Sequence, residues 1–294
     1  MDAARQLSKM FEPYHAIAYY CPEVAAFTDA GFRGWWHAYF AYRSAPLGVV
    51  PAPVVAAAFY NFAPRMVARA LPGAWSILAP EDVLALRLEV VDRALRRVLG
   101  ERIGDDTLVR AARLARRAVE GCEVAGRPLY AAHDARLWPE EPHLVLWWAC
   151  TLLREHRGDG HGVALAAAEV DGTACHVLMV AHGHGNRASI LPIRGWTEAE
   201  WDDAAARLTA RGWLDPSGGF TTVGRNARRA IEEYTDRLAA EPVRRLGPDG
   251  VAELVGLLEP YAALLQGQGG VPGSWPPPHL LRDEGATPSG AAPS

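Results

Sequence analysis

Arg211-Gly212-Trp213-Leu214-Asp215-Pro216-Ser217-Gly218-Gly219-Phe220-Thr221-Thr222-Val223-Gly224-Arg225 is the stretch that decides the fold reading. Two short extended pieces flank a Pro-Ser-Gly-Gly turn, whose residues supply the fixed and the positive φ angles that tight turns require. A long helix is expected from Arg225 to Leu238. Just upstream, Trp196-Thr197-Glu198-Ala199-Glu200 sets an N-cap threonine three positions ahead of a glutamate, the capping-box pattern. Trp201, Ala205, Leu208 and Leu214 then continue an apolar stripe. Helix, hairpin, helix is the pattern of a wing.

Working outward, the chain reads as mostly helical. Leu7 to Tyr20 predicts a helix, and Gly34 to Tyr42 an aromatic-rich one ending at the turn Ser44-Ala45-Pro46-Leu47-Gly48. Val54 to Phe62 reads as a buried helix. Pro80-Glu81-Asp82 opens an amphipathic helix to about Leu99, with acids in the first turn where the helix dipole favours them. Asp106 to Glu120 makes another, its arginines on the solvated side. His143 to Leu153 and Val163 to Val170 read as two helices on either side of a polar corner. Thr173 to Val180 fits a strand or a helix equally well.

The stretch around the hairpin resembles the C-terminal part of MarR-type winged-helix proteins, on Leu208, Arg211, Gly212, Trp213, Phe220, Thr221, Gly224 and Arg225. The resemblance implies a mainly α fold of winged-helix architecture with a small β-wing. Trp36 precedes Arg43 by seven residues and Trp147 precedes Arg154 by the same spacing. A doubled winged-helix unit within one chain would explain that repeat. The chain as a whole resembles an actinobacterial family described as helix-turn-helix-like, on Glu12-Pro13-Tyr14-His15, Ala45-Pro46-Leu47-Gly48, Phe59-Tyr60-Asn61-Phe62 and Leu153 to His161. That resemblance implies a fold and no activity. The expected organisation is a helical, winged-helix-like domain over 1–125, a winged-helix domain over 126–265 and a disordered Gly/Pro/Ser-rich tail over 266–294.

Composition excludes several classes. The 294 residues are 50% hydrophobic and carry a net charge of −4, so there is material for a core and no broad basic footprint for nucleic acid. Cys21, Cys122, Cys150 and Cys175 form no C-x-x-C pair, and no apolar leader opens the chain; reduced cysteines in a cytoplasmic, membrane-free protein are expected. There is no Walker A loop, no G-x-G-x-x-G after a strand and no G-x-S-x-G elbow. No cofactor is named by the sequence. No metal site is expected either, since His156 and His161 lack the H-E-x-x-H pattern.

The chemistry concentrates in Arg154-Glu155-His156-Arg157-Gly158-Asp159-Gly160-His161. Charged groups beside an apolar run are costly unless they pair with each other or with a ligand. If Gly158 and Gly160 turn the backbone, exposed amides with Arg154 and Arg157 would hold an anionic group. His156 or His161 would move a proton, with Asp159 orienting the imidazole. His15, Tyr60 and Asn61 would complete the wall of a pocket between the two halves. The expectation is therefore a protein that binds, or acts on, a small organic anion. The first ten residues of the helix that would enter DNA, Thr197 to Ala206, hold Glu198, Glu200, Asp202 and Asp203 and no base, which opposes DNA binding. The alternative is a MarR-type regulator sensing an effector, as a homodimer. Trp196 and Trp201 would serve as its anchors in a third reading, that of an interaction surface.

Overall fold

The structure is a computed structural model and describes residues 3–267; all but the first two residues of the expected tail lie outside the described residues. Fourteen α-helices make up most of that span. They are α1 (Ala3–Tyr20), α2 (Ala25–Asp29), α3 (Gly34–Ser44), α4 (Ala52–Phe59), α5 (Pro64–Ala70), α6 (Pro80–Leu99) and α7 (Asp106–Val119). There follow α8 (Pro128–Asp134), α9 (Pro142–Ala167), α10 (Ala174–Ala181), α11 (Arg187–Arg194), α12 (Glu198–Ala210), α13 (Thr222–Leu238) and α14 (Ala240–Gly267), the last broken at Gly247. None is long and apolar enough to cross a membrane, and the four cysteines are free.

Local chemistry sets these elements. Pro80 sits at the start of α6 with Glu81 and Asp82 in the first turn and Arg96 and Arg97 in the last, each charge complementing the helix dipole. At α12 the capping box closes: the Thr197 hydroxyl accepts from the Glu200 amide at 3.3 Å, and the Glu200 carboxylate accepts from the Thr197 amide at 2.8 Å. Thr221 caps α13 through the Gly224 amide at 3.0 Å. A Cβ on Gly224 would lie 1.9 Å from the Trp213 carbonyl oxygen, so only glycine fits there.

Three expectations are corrected. The Gly-rich polar stretch is no corner, because α9 runs unbroken from Pro142 to Ala167, roughly 39 Å at 1.5 Å per residue. Its glycines admit neighbours instead of turning the chain. A Cβ on Gly160 would lie 2.9 Å from Arg127 Nη1 and 3.1 Å from Leu238 Cβ. The helix of Val54 stops at Phe59, where Tyr60 turns back with φ +60° and ψ −54° and the Asn61 amide donates to the Phe59 carbonyl at 2.7 Å. That geometry is a γ-turn of positive φ, strained by about 1–3 kcal/mol for a non-glycine residue. Finally, the described residues contain no strand. The hairpin closes with one antiparallel bridge, Leu214 to Phe220, because the Asp215 carboxylate gathers the Ser217 and Gly219 amides into a turn that leaves too little chain to pair. Thr173 to Val180 resolves as helix α10.

The buried apolar residues form two clusters. The larger draws on α1 to α8, the first half of α9 and the second part of α14. The smaller joins Ala164 and Leu165 of α9 to α10, α11, α12, the bridge and Ile231 of α13. Helix α9 thus belongs to both, and its polar stretch falls where it passes from one to the other. Trp201 is buried in the second cluster and is no surface anchor; Trp196 is half-buried, donating to the Asn61 carbonyl at 3.1 Å.

The packing account is testable on α9. Alanine is the better helix former by about 1 kcal/mol, so Gly162→Ala, whose Cβ meets only the Tyr60 ring at 3.5 Å, should be neutral or stabilising. Gly160→Ala should destabilise by about 1–3 kcal/mol through overpacking. Urea denaturation of both variants decides it; equal effects would reject close approach as the reason for Gly160.

Candidate functional site

A cavity of about 540 Å³ lies between the two clusters. Along α9 its lining residues are Arg154, Glu155, Gly158, His161, Gly162 and Leu165, the spacing of one helix face. A straight helix separates what a corner would have gathered. His156 and Asp159 point to the other side, and Arg157 turns to α13, its Nη2 2.8 Å from Asp236.

The floor of the site is ionic. Glu155 is fully buried, with Oε2 2.8 Å from Arg154 Nη1 and Oε1 3.7 Å from Arg43 Nε. Burial alone would raise this carboxyl, but the Arg154 and Arg43 guanidiniums outweigh it and hold it well below the usual carboxylate range. Arg43, at the end of α3, also donates to the Tyr39 hydroxyl at 2.9 Å and lies 4.2 Å from the Phe59 ring centroid. Tyr19 and Tyr39 pack at 5.4 Å beside it. Arg194, from the end of α11, enters over Phe62 at 4.4 Å. Four arginines line the cavity with two carboxylates, Glu12 and Glu155; the fourth, Arg228, is paired with Glu232 of its own helix.

The remaining expected residues take defined places. His15 bonds Thr151 at 3.1 Å and stacks edge-on with Tyr19. The Tyr60 hydroxyl donates to the Val170 carbonyl at 2.6 Å, which fixes the strained turn. Asn61 presents its main-chain oxygen to His176 at 2.9 Å as well as to Trp196, so it stitches the two clusters together. All three line the cavity. His161 lines it too, with Nδ1 2.9 Å from the Thr235 hydroxyl, which itself donates to the Ile231 carbonyl. Nδ1 therefore carries the proton and Nε2 is the acceptor.

Asp159 orients neither imidazole. Its carboxylate accepts from the Tyr130 amide at 2.9 Å and so caps the first turn of α8 from outside. Burial, then the charge of Glu155, pushes it up to about 7. Burial brings His161 down to about 4, and burial with Arg127 nearby does the same to His156. A base with a pKa near 4 is poorly matched to proton transfer at neutral pH, which leaves His161 as a neutral hydrogen-bond acceptor. Arg43, Arg194, Tyr39 and His176 were not singled out as site residues in the sequence; an arginine closing an aromatic helix was the available signal for Arg43.

The chain belongs to a helix-turn-helix family, whose family model matches residues 4–272. Neither a curated protein nor a solved structure matches it. α11 and α12 are joined by the short segment Gly195-Trp196-Thr197, with Gly195 at φ +73°.

Two predictions follow from the electrostatics. Burial holds His15, His133, His156, His161 and His176 below their ordinary value near 6.5 in the native state. The unfolded chain therefore binds more protons below that pH, and stability is full above about 6.5 and falls as the pH drops toward 4. Three carboxyls raised in the native state, Asp159, Glu12 and Asp134, oppose this but are fewer than the five histidines. Denaturant titrations between pH 6.5 and 5 should show net uptake of at least two protons on unfolding; an uptake of one or fewer would contradict the burial of these rings. Glu155→Gln leaves the buried Arg43 guanidinium without its ion-pair partner and should cost about 3–5 kcal/mol in the same assay at pH 7.

Proposed function

We propose that this protein binds a small, flat organic anion in the cavity between its two clusters. One observation carries the reading: Arg43, Arg154 and Arg194 face a cavity lined by two carboxylates, Glu12 and Glu155, with tyrosines and phenylalanine beside them, while a fourth arginine, Arg228, is paired with Glu232. Arginine forks suit carboxylate or phosphate, and aromatic faces suit a planar body. The volume falls in the ordinary range for small-molecule sites. Binding rather than turnover is favoured, because His161 is a weak base and Asp159, raised to about 7, caps a helix away from the cavity.

On this reading the segment from α10 to α13 is a winged-helix unit of MarR type with the Leu214–Phe220 bridge as its wing, and it does not grip DNA. Glu198, Glu200, Asp202 and Asp203 on α12 meet Arg65, Arg187 and Arg207, so the arginines are spent on the protein's own acids. A DNA-binding regulator sensing the same ligand is the second reading, favoured by membership of a helix-turn-helix family.

Native mass spectrometry of the isolated protein, followed by calorimetry with aromatic carboxylates and phosphates, tests the first. Arg154→Ala should weaken the best ligand roughly ten- to a hundredfold, as loss of a charged hydrogen bond does. A folded Arg154→Ala variant of undiminished affinity would sink the assignment. Anisotropy with labelled duplex DNA at low salt separates the readings: the first expects no binding, the second an affinity falling steeply with salt.

A further inference from the structure

Across α9 from the cavity, Cys122, His156 and Glu241 form a second cluster, whose ligand-capable atoms all lie within 4.8 Å of one another. Cys122 follows α7, His156 projects from α9 and Glu241 opens α14. His156 is 1% exposed and neither of its ring nitrogens has a hydrogen-bond partner. Its Nε2 is 4.0 Å from Glu241 Oε2. A buried imidazole left unpaired at both nitrogens is costly, and a cation held by one of them would remove the cost.

The surroundings fit such an ion. Glu241 is oriented from behind, Oε1 accepting from Arg245 Nε at 3.2 Å and Nη2 at 2.9 Å, Oε2 from the Glu123 amide at 3.0 Å. Ligands fixed by such outer contacts hold metals better. The Tyr130 ring stands edge-on to His156 at 5.1 Å, and its hydroxyl accepts from the Cys122 amide at 2.9 Å. Arg127, the nearby cation, directs its guanidinium at the His156 and Leu238 carbonyls. The Cys122 thiol lies 3.5 Å from the Ala118 carbonyl and within hydrogen-bond reach of the Glu241 carboxylate.

We propose that Cys122, His156 and Glu241 bind a divalent cation of the zinc class. One sulfur, one imidazole nitrogen and one carboxylate oxygen are zinc ligands, and sulfur disfavours magnesium and calcium. Three protein ligands leave the fourth position to water. On binding, the Cys122 S–H bond breaks, the proton passes to solvent and the thiolate takes up the metal; thiolate and carboxylate together balance the divalent charge. Glu241 lies at the joint between α13 and α14, so the ion would pin that joint to α7 and α9.

The test uses the full chain, stripped with chelator and titrated with Co²⁺. About one Co²⁺ per chain should bind, with near-ultraviolet absorption from thiolate-to-cobalt charge transfer and a raised melting temperature, and Zn²⁺ should abolish the absorption. Cys122→Ser should remove the band and the thermal gain. Glu241→Gln, at a half-exposed side chain that tolerates change, should weaken Co²⁺ at least tenfold with the unliganded fold intact, and it carries the test should Cys122→Ser not fold. No stoichiometric uptake, or uptake that Glu241→Gln and Cys122→Ser leave unchanged, would overturn the proposal.

Discussion

Glu155 lies buried between Arg43 and Arg154, and this shared carboxylate is the constraint on which the rest of the structure depends. Removing an ion from water costs several kcal/mol, which only close, well-partnered opposite charges offset. Arg43 comes from α3 and Glu155 from α9, so the pair fixes how those helices sit against each other. The consequence is asymmetric. Two guanidiniums carry ten N–H donors between them, and one carboxylate with one tyrosine hydroxyl cannot use them all. Donors are left over on both guanidiniums, and Glu12 is the second carboxylate on the wall of the cavity.

The same helix explains why a site exists at the junction at all. Gly158, Gly160 and Gly162 each weaken a helix interior by about 1 kcal/mol relative to alanine. The helix persists because its two ends are anchored in different apolar clusters. What the glycines contribute is proximity. Gly160 admits Arg127 and Leu238, and Gly172 lets the Tyr60 carbonyl come where a Cβ would be 2.5 Å away. Tyr60 can then hold its strained turn, clamped by the Val170 carbonyl and by the bonds to Asn61. Strain of that kind persists only when its surroundings over-determine it, and here they do so on the wall of the cavity.

Much of this was legible in the chain. The capping box at Thr197 and the start of α6 at Pro80 follow from short-range chemistry, which sequence states directly. The polar run does find the partners that charge beside an apolar helix demands, Glu155 with Arg154 and Arg43 and Arg157 with Asp236. Its shape was misjudged for a physical reason. Glycine permits a turn but does not impose one, and tertiary packing at both ends of α9 overrode the local propensity. Once the run is a helix, residues two apart must diverge, so His156 and Asp159 leave the side that Arg154 and His161 share. Arg43 and Arg194 reach the cavity from more than a hundred residues before α9's polar stretch and from α11 beyond it, a convergence that no local pattern encodes. Arg43 and Arg154, the two arginines of the equal Trp–Arg spacing, meet the same carboxylate.

A helix-turn-helix scaffold and a charged cavity make opposite demands on arginine. Gripping DNA needs guanidiniums exposed and unspent, since affinity comes from displacing counterions on phosphates. In this chain Arg187 and Arg207 lie across acids of their own unit, and Arg65 from α5 neutralises Glu200 at the capping box. Neutralising the acids on α12 removes repulsion from phosphate without creating attraction. The cationic surplus sits inside, at Arg43, Arg154 and Arg194, where low dielectric strengthens each charge and a small anion can meet several at once. The distribution of arginine, more than the fold that carries it, therefore argues for a ligand held within the protein over a polymer held against it.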